Sequence, residues 1–147
     1  MKPDLSVHHH FPFSIEKVWT ALTDSKTLSK WIWSNDFEPV IGHTFQFRAE
    51  PNDWWDGIVN CKVLEIEEPY KLSYTWHSAE EETIIVWRLE EQADGSTTLT
   101  LDQSGFSEET KVTKGAIQGA VYSWTEFCRK LETLLVTKNE QNGEKYE

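Results

Sequence analysis

The stretch 57-GIVNCKVLEIEEPYKLSYTWH-77 decides the fold. Val59, Cys61 and Val63 alternate against Ile58, Leu64 and Ile66, with a slip near residues 63–64 that reads as a bulge. Pro69 marks a turn, and Leu72, Tyr74 and Trp76 then resume the period of two. Two strands joined this way, each with one apolar face, predict an antiparallel sheet that another layer must cover.

The same period extends in both directions. Upstream, Phe45 and Phe47 share a face in 43-HTFQFRAE-50, after Gly42. Downstream, Ile85, Trp87 and Leu89 alternate in 82-ETIIVWRLEE-91, Asp94-Gly95 signals a hairpin, and Leu99 and Leu101 share a face in the next run. These segments predict five strands in a meander.

Residues 5–11 alternate as a further short strand, which Pro12 ends because it has no amide hydrogen to give a ladder. Within it His8 and His10 fall on one face, and Val7, His9 and Phe11 on the other, so the triplet 8-HHH-10 cannot present three metal ligands together. Ser14 is an N-cap for a short helix carrying Ile15, Val18, Trp19 and Leu22, and after the interruption at 23-TDS-25 a second carries Leu28, Trp31 and Ile32. At the other end, Ser107 followed by two glutamates starts a long helix expected to run to Thr137. Its stripe of Ile117, Ala120, Trp124, Cys128, Leu131 and Leu135 faces the sheet.

The expected fold is α+β: a curved antiparallel six-stranded sheet around a long C-terminal helix, with two short helices after the first strand. One domain is expected over 1–147, its ordered core about 5–137 and its polar tail 138–147.

Bulk properties narrow the function. With 14 basic and 25 acidic residues the formal charge is −11, which disfavours nucleic acid and anionic lipid as partners. No run of about 18 apolar residues predicts membrane insertion. The start lacks the apolar region of a secretory signal, so the chain reads as cytoplasmic. Cys61 and Cys128 lie in apolar-periodic segments with no metal-ligand spacing. Neither a metal nor another cofactor is expected. No nucleophile elbow or acid–base pair is identifiable, so the chain is not expected to be an enzyme. The run Glu80-Glu81-Glu82 reads as a solvated strand connection.

In this order and spacing, 15-IEKVWTALTDSKTLSKWI-32, 57-GIVNCKVLEIEEPYKLSYTWH-77, 95-GSTTLTLDQSGF-106 and 124-WTEFCRKLETLL-135 resemble the activator of heat-shock protein 90 ATPase homologue-like family of the START-like (SRPBCC) superfamily. The resemblance runs from about residue 5 to about residue 136. It implies a helix-grip fold with a cavity between the sheet and the C-terminal helix, often a place for an apolar small molecule. Two departures stand out: Gln103, where many stand-alone members have His, and Ser123-Trp124, where they have Gly-Trp. Eukaryotic co-chaperones of the family carry an additional N-terminal domain, for which a first strand near Leu5 leaves no room; stimulation of a chaperone ATPase is therefore not expected.

Eight tryptophans, seven phenylalanines and four tyrosines add weight to the implied cavity. The expected ligand-binding residues are Phe45, Phe47, Cys61, Tyr74, Trp76, Trp87, Leu99 and Trp124 as walls, with Trp54 and Trp55 at the mouth. Gly119 joins them, because the small residues at 115–120 leave the helix thin and a void is expected beneath. The leading function is binding of an apolar, aromatic or lipid-like small molecule. Two others stay open: a co-chaperone-like, stress-related module engaging a chaperone or other protein, and a cyclase or hydrolase using the same cavity.

Overall fold

The computed structural model describes residues 2–141. Its elements are β1 (Leu5–Phe11), α1 (Ile15–Thr23), α2 (Ser25–Trp31), β2 (Ser34–Asn35), β3 (Thr44–Arg48), β4 (Ile58–Glu67), β5 (Lys71–Ser78), β6 (Glu81–Glu91), β7 (Thr97–Ser104), α3 (Glu108–Val112) and α4 (Ala116–Gln141). The strands form one antiparallel sheet in the order β1-β7-β6-β5-β4-β3-β2. This is the helix-grip fold, with seven strands rather than six. The addition is β2, which pairs Ser34 with Arg48 and Asn35 with Phe47. Two residues are too few to display a period, so the sequence carries no pattern for it.

The concave face is set by parity. Phe45 and Phe47, Val59, Cys61 and Val63, Leu72 and Tyr74, Ile85 and Trp87, and Leu99 and Leu101 are all buried. The register shift between Val63 and Glu65 is the expected bulge. It turns the inward positions of β4 from odd to even numbers, so Leu64 is exposed and Ile66 packs against the core. β1 follows the same rule. Val7 and Phe11 are buried and His9 is half-buried, its Nε2 2.7 Å from Glu132 Oε1 on α4, whereas His8 and His10 face solvent.

α4 lies across the concave face, where Trp124 packs edge-on against Trp76 at 4.9 Å and Trp87 at 5.5 Å between ring centroids. Beside it α2 places Trp31 edge-on to Trp87 at 5.8 Å. Asp24 serves both short helices. Its backbone N–H closes α1 on Thr20 O, and its carboxylate caps α2 by accepting from Thr27 N at 3.1 Å.

The long helix expected from Ser107 is broken. Ser107 caps α3 by accepting from Thr110 N, but Gly115 takes the left-handed conformation (φ +82°) and separates α3 from α4. At the other end α4 continues past Thr137 to Gln141. Of the polar tail expected at 138–147, residues 142–147 lie outside the described residues. The Asp94-Gly95 turn joins β6 and β7 through residues 92–96, closed by Gln92 N donating to Ser96 O at 2.8 Å. Among the described residues no helix is long and apolar enough to cross a membrane.

Candidate functional site

The concave face is filled along most of its length and opens at one end, beside the β5–β6 hairpin. There Ala120, Ser123, Trp124 and Phe127 of α4 stand over Trp76 and Ser78 of β5, Glu81 and Thr83 of β6, and Gln103 of β7. Trp33, Trp55, Val59 and Phe106 complete a cleft of about 230 Å³. Four of its rings pack in one cluster that forms a wall of it: Trp33–Trp76 at 6.3 Å, Trp76–Trp124 at 4.9 Å, Trp124–Phe127 at 5.8 Å and Phe127–Trp33 at 5.3 Å. Trp55 leans on Trp33 at 5.5 Å.

Polar groups at the base of the cleft are fixed by one another. Gln103, 3% exposed, accepts from Trp124 Nε1 at 2.9 Å and donates from Nε2 to Thr83 Oγ1 at 2.8 Å. Thr83 Oγ1 in turn donates to Trp76 O at 3.2 Å. On the other wall Trp55 Nε1 donates to Ser78 Oγ at 3.0 Å. These bonds set the indole planes, since each buried N–H must find an acceptor.

The charged member of the lining is Glu81. The glutamate run was expected to be a solvated tip, and Glu80 and Glu82 are exposed; Glu81 is half-buried instead. Its Oε2 accepts from Ser107 N at 2.5 Å and its Oε1 from Thr110 Oγ1 at 2.8 Å, so it ties α3 to β6. The two-residue turn beside it puts Ala79 (φ 53°) and Glu80 (φ 65°) in the left-handed region. That conformation normally selects Asn or Gly, so backbone strain is stored at the rim of the cleft.

A wider vestibule of about 530 Å³ adjoins through Trp55 and Ser78, and Asp53, Trp54, Asp56, His77 and Glu80 lie around it. Trp54 is 83% exposed and borders the vestibule, not the cleft.

The structure brings together three of the residues expected to bind ligand: Trp55, Trp76 and Trp124. Phe45, Phe47, Cys61, Tyr74, Trp87 and Leu99 are packed core and reach no part of the cleft. Their space is taken by their neighbours: Phe45 packs edge-on to Tyr74 at 5.1 Å, and Trp87 Nε1 donates to the Tyr74 hydroxyl at 3.0 Å. Burial pushes the thiols of Cys61 and Cys128 and the Tyr74 hydroxyl up in pKa, Cys128 to about 12. Gly119 is also off the cleft. It lies on the exposed side of α4, where an added Cβ would meet nothing within 4 Å; the residues over the void are Ala120 and Ser123.

Trp33, Phe106 and Phe127 were not foreseen, since Trp33 and Phe106 follow the ends of α2 and β7 and Phe127 lies beside the α4 stripe. Gln103 and Thr83 were findable, as both continue the inward parity of Leu99, Leu101 and of Ile85, Trp87. Among the described residues no three or more His, Cys, Asp or Glu side chains gather as a metal site.

The family model described as Activator of Hsp90 ATPase homolog 1-like protein matches residues 12–136. No curated protein matches the chain. Among solved structures, protein MLL2253 from Mesorhizobium loti is 34% identical, with 90% of this chain and 96% of that chain covered and a TM-score of 0.80. Protein BH1534 from Bacillus halodurans is 24% identical, with 90% and 98% covered and a TM-score of 0.69. DynU16, a protein in the dynemicin biosynthetic locus, is 23% identical with a TM-score of 0.77; 91% of this chain and 47% of DynU16 are covered, so the chain spans about half of its length. The latter two likenesses show the fold. The family match takes in every element from α1 through α3 and most of α4, and with it the elements that build the cleft: the chain belongs to the Activator of Hsp90 ATPase homolog 1-like family.

Proposed function

We propose that this protein binds a compact aromatic or apolar small molecule in the cleft between the open end of the sheet and the first turns of α4. The observation that carries the reading is the lining. Four indoles and two phenyl rings surround about 230 Å³ of space, and the polar atoms at its base are already paired. Aromatic walls with a few fixed polar groups are the usual make-up of a small-molecule site. The volume lies below the roughly 300–1,000 Å³ typical of pockets for drug-sized ligands. A single ring or branched alkyl group suits it better than a long acyl chain.

Binding without chemistry is the reading the lining favours. Among the described residues no histidine or cysteine lines the cleft, Ser78 Oγ accepts from Trp55, and Glu81 is held by Ser107 and Thr110. A partner-docking role draws support from exposed Trp54 and the acidic Asp53, Asp56 and Glu80 near it, and it predicts association that weakens with salt through those charges and is lost in Trp54→Ala.

The test fills the cleft. Benzyl alcohol titrated against the folded protein should give saturable line broadening in ligand-observed NMR and raise the melting temperature. Ala120→Phe and Ser123→Phe should each abolish both effects while the protein stays folded, and Gly119→Leu, projecting into solvent, should leave them. Binding that survives both filled variants places the site elsewhere.

A further inference from the structure

We infer that the group recognised in this cleft is an organic cation, an alkylated ammonium attached to a small apolar body. The inference rests on the binding function proposed above and specifies the ligand's charge.

Electrostatics of the lining carry it. Aromatic faces are electron-rich, and an ammonium over an indole face gains attraction that a neutral group of the same shape does not. Trp33, Trp55, Trp76 and Trp124 supply four such rings. The charge beside them is negative: Glu81 is the charged residue of the cleft, and both its oxygens accept from neutral donors, a backbone amide and a hydroxyl. No lysine or arginine ion pair reaches it among the described residues. A half-buried carboxylate with no cation beside it favours whatever positive charge enters the cleft.

The approach has the same sign. Among the described residues Asp53, Asp56 and Glu80 border the vestibule, no lysine or arginine does, and His77 is the basic side chain there. With −11 on the whole chain, a cation is steered inward and a carboxylate or phosphate is repelled. A fatty acid or phosphorylated ligand would also enter without a counter-charge, since among the described residues the lining contains none.

Three probes that share a benzyl group separate shape from charge: benzyltrimethylammonium, its neutral carbon isostere neopentylbenzene, and phenylacetate. Affinities measured by NMR titration at fixed low salt should place the cation at least about tenfold tighter than the isostere, and phenylacetate weakest. Glu81→Gln should remove most of the cation's advantage and leave the isostere within about twofold. Because Glu81 also holds α3, Ser107→Ala serves as the control: it weakens the cap and keeps the charge, so the cation preference should persist. If the isostere binds as tightly as the cation, or Ser107→Ala removes the preference as fully as Glu81→Gln does, the cation inference is overturned while the binding function stands. If none of the three binds, the cation inference falls, and if benzyl alcohol fails to bind as well the binding function falls with it.

Discussion

At the scale of single residues, Gln103 holds the base of the cleft. One side chain both accepts from Trp124 and donates to Thr83, so two elements take their orientation from it. Gln103→Leu leaves the indole N–H of Trp124 without its acceptor in a buried place, at a cost of about 1–3 kcal/mol. Urea unfolding should register that loss, and ligand affinity should fall with it. Buried thiols make a second point. Burial raises Cys128 from its ordinary 9.0 to about 12 in the folded chain, so its contribution to stability is intact below pH 9 and is lost as pH rises from 9 toward 12. Cys61 and Tyr74 shift in the same direction for the same cause. The protein should therefore lose stability between pH 9 and 11, and Cys128→Ala, which has no thiol to ionise, should lose less; equal losses in the two proteins would assign the effect to other groups.

At the scale of elements, alternation made the sheet legible and failed where an element is short or irregular. The parity of Phe45, Cys61, Tyr74, Trp87 and Leu99 identified the inward face correctly, and the slip after Val63 marked the bulge. Inward parity alone does not separate a packed ring from one that borders a void, because neighbours across the sheet decide which space is filled. That is why Phe47 and Tyr74 are core while Trp76 lines the cleft, on the same face of the same sheet. β2 and the position of Trp33 had no period to reveal them. Small residues in α4 do not share one face: Ala120 stands over the cleft, and Gly119 faces water one residue before it. Gly119 sits within the helix with open space around it, so Gly119→Ala should raise stability by about 0.5–1 kcal/mol through helix propensity, with ligand affinity unchanged. A loss of binding in Gly119→Ala would return that residue to the site.

At the scale of the whole molecule, the sheet and α4 close tightly over Cys128, Leu131 and Leu135 and part near Ala120 and Ser123. The fold thus has a packed end and an open end, and the eight tryptophans are divided between them. Trp19, Trp31 and Trp87 are buried in the core, Trp33, Trp55, Trp76 and Trp124 border the cleft, and Trp54 stands outside at the vestibule. That division makes the indole N–H signals a map of where a ligand sits. The most direct test of the account is an amide-correlation NMR spectrum of nitrogen-15-labelled protein, with the eight indole signals assigned by single Trp→Phe variants, recorded as benzyl alcohol is added. The account predicts saturable shifts at Trp33, Trp55, Trp76 and Trp124 with one common dissociation constant, and Trp19 and Trp31 unmoved. Shifts confined to Trp54, or none at any indole across the solubility range of the probe, would contradict it.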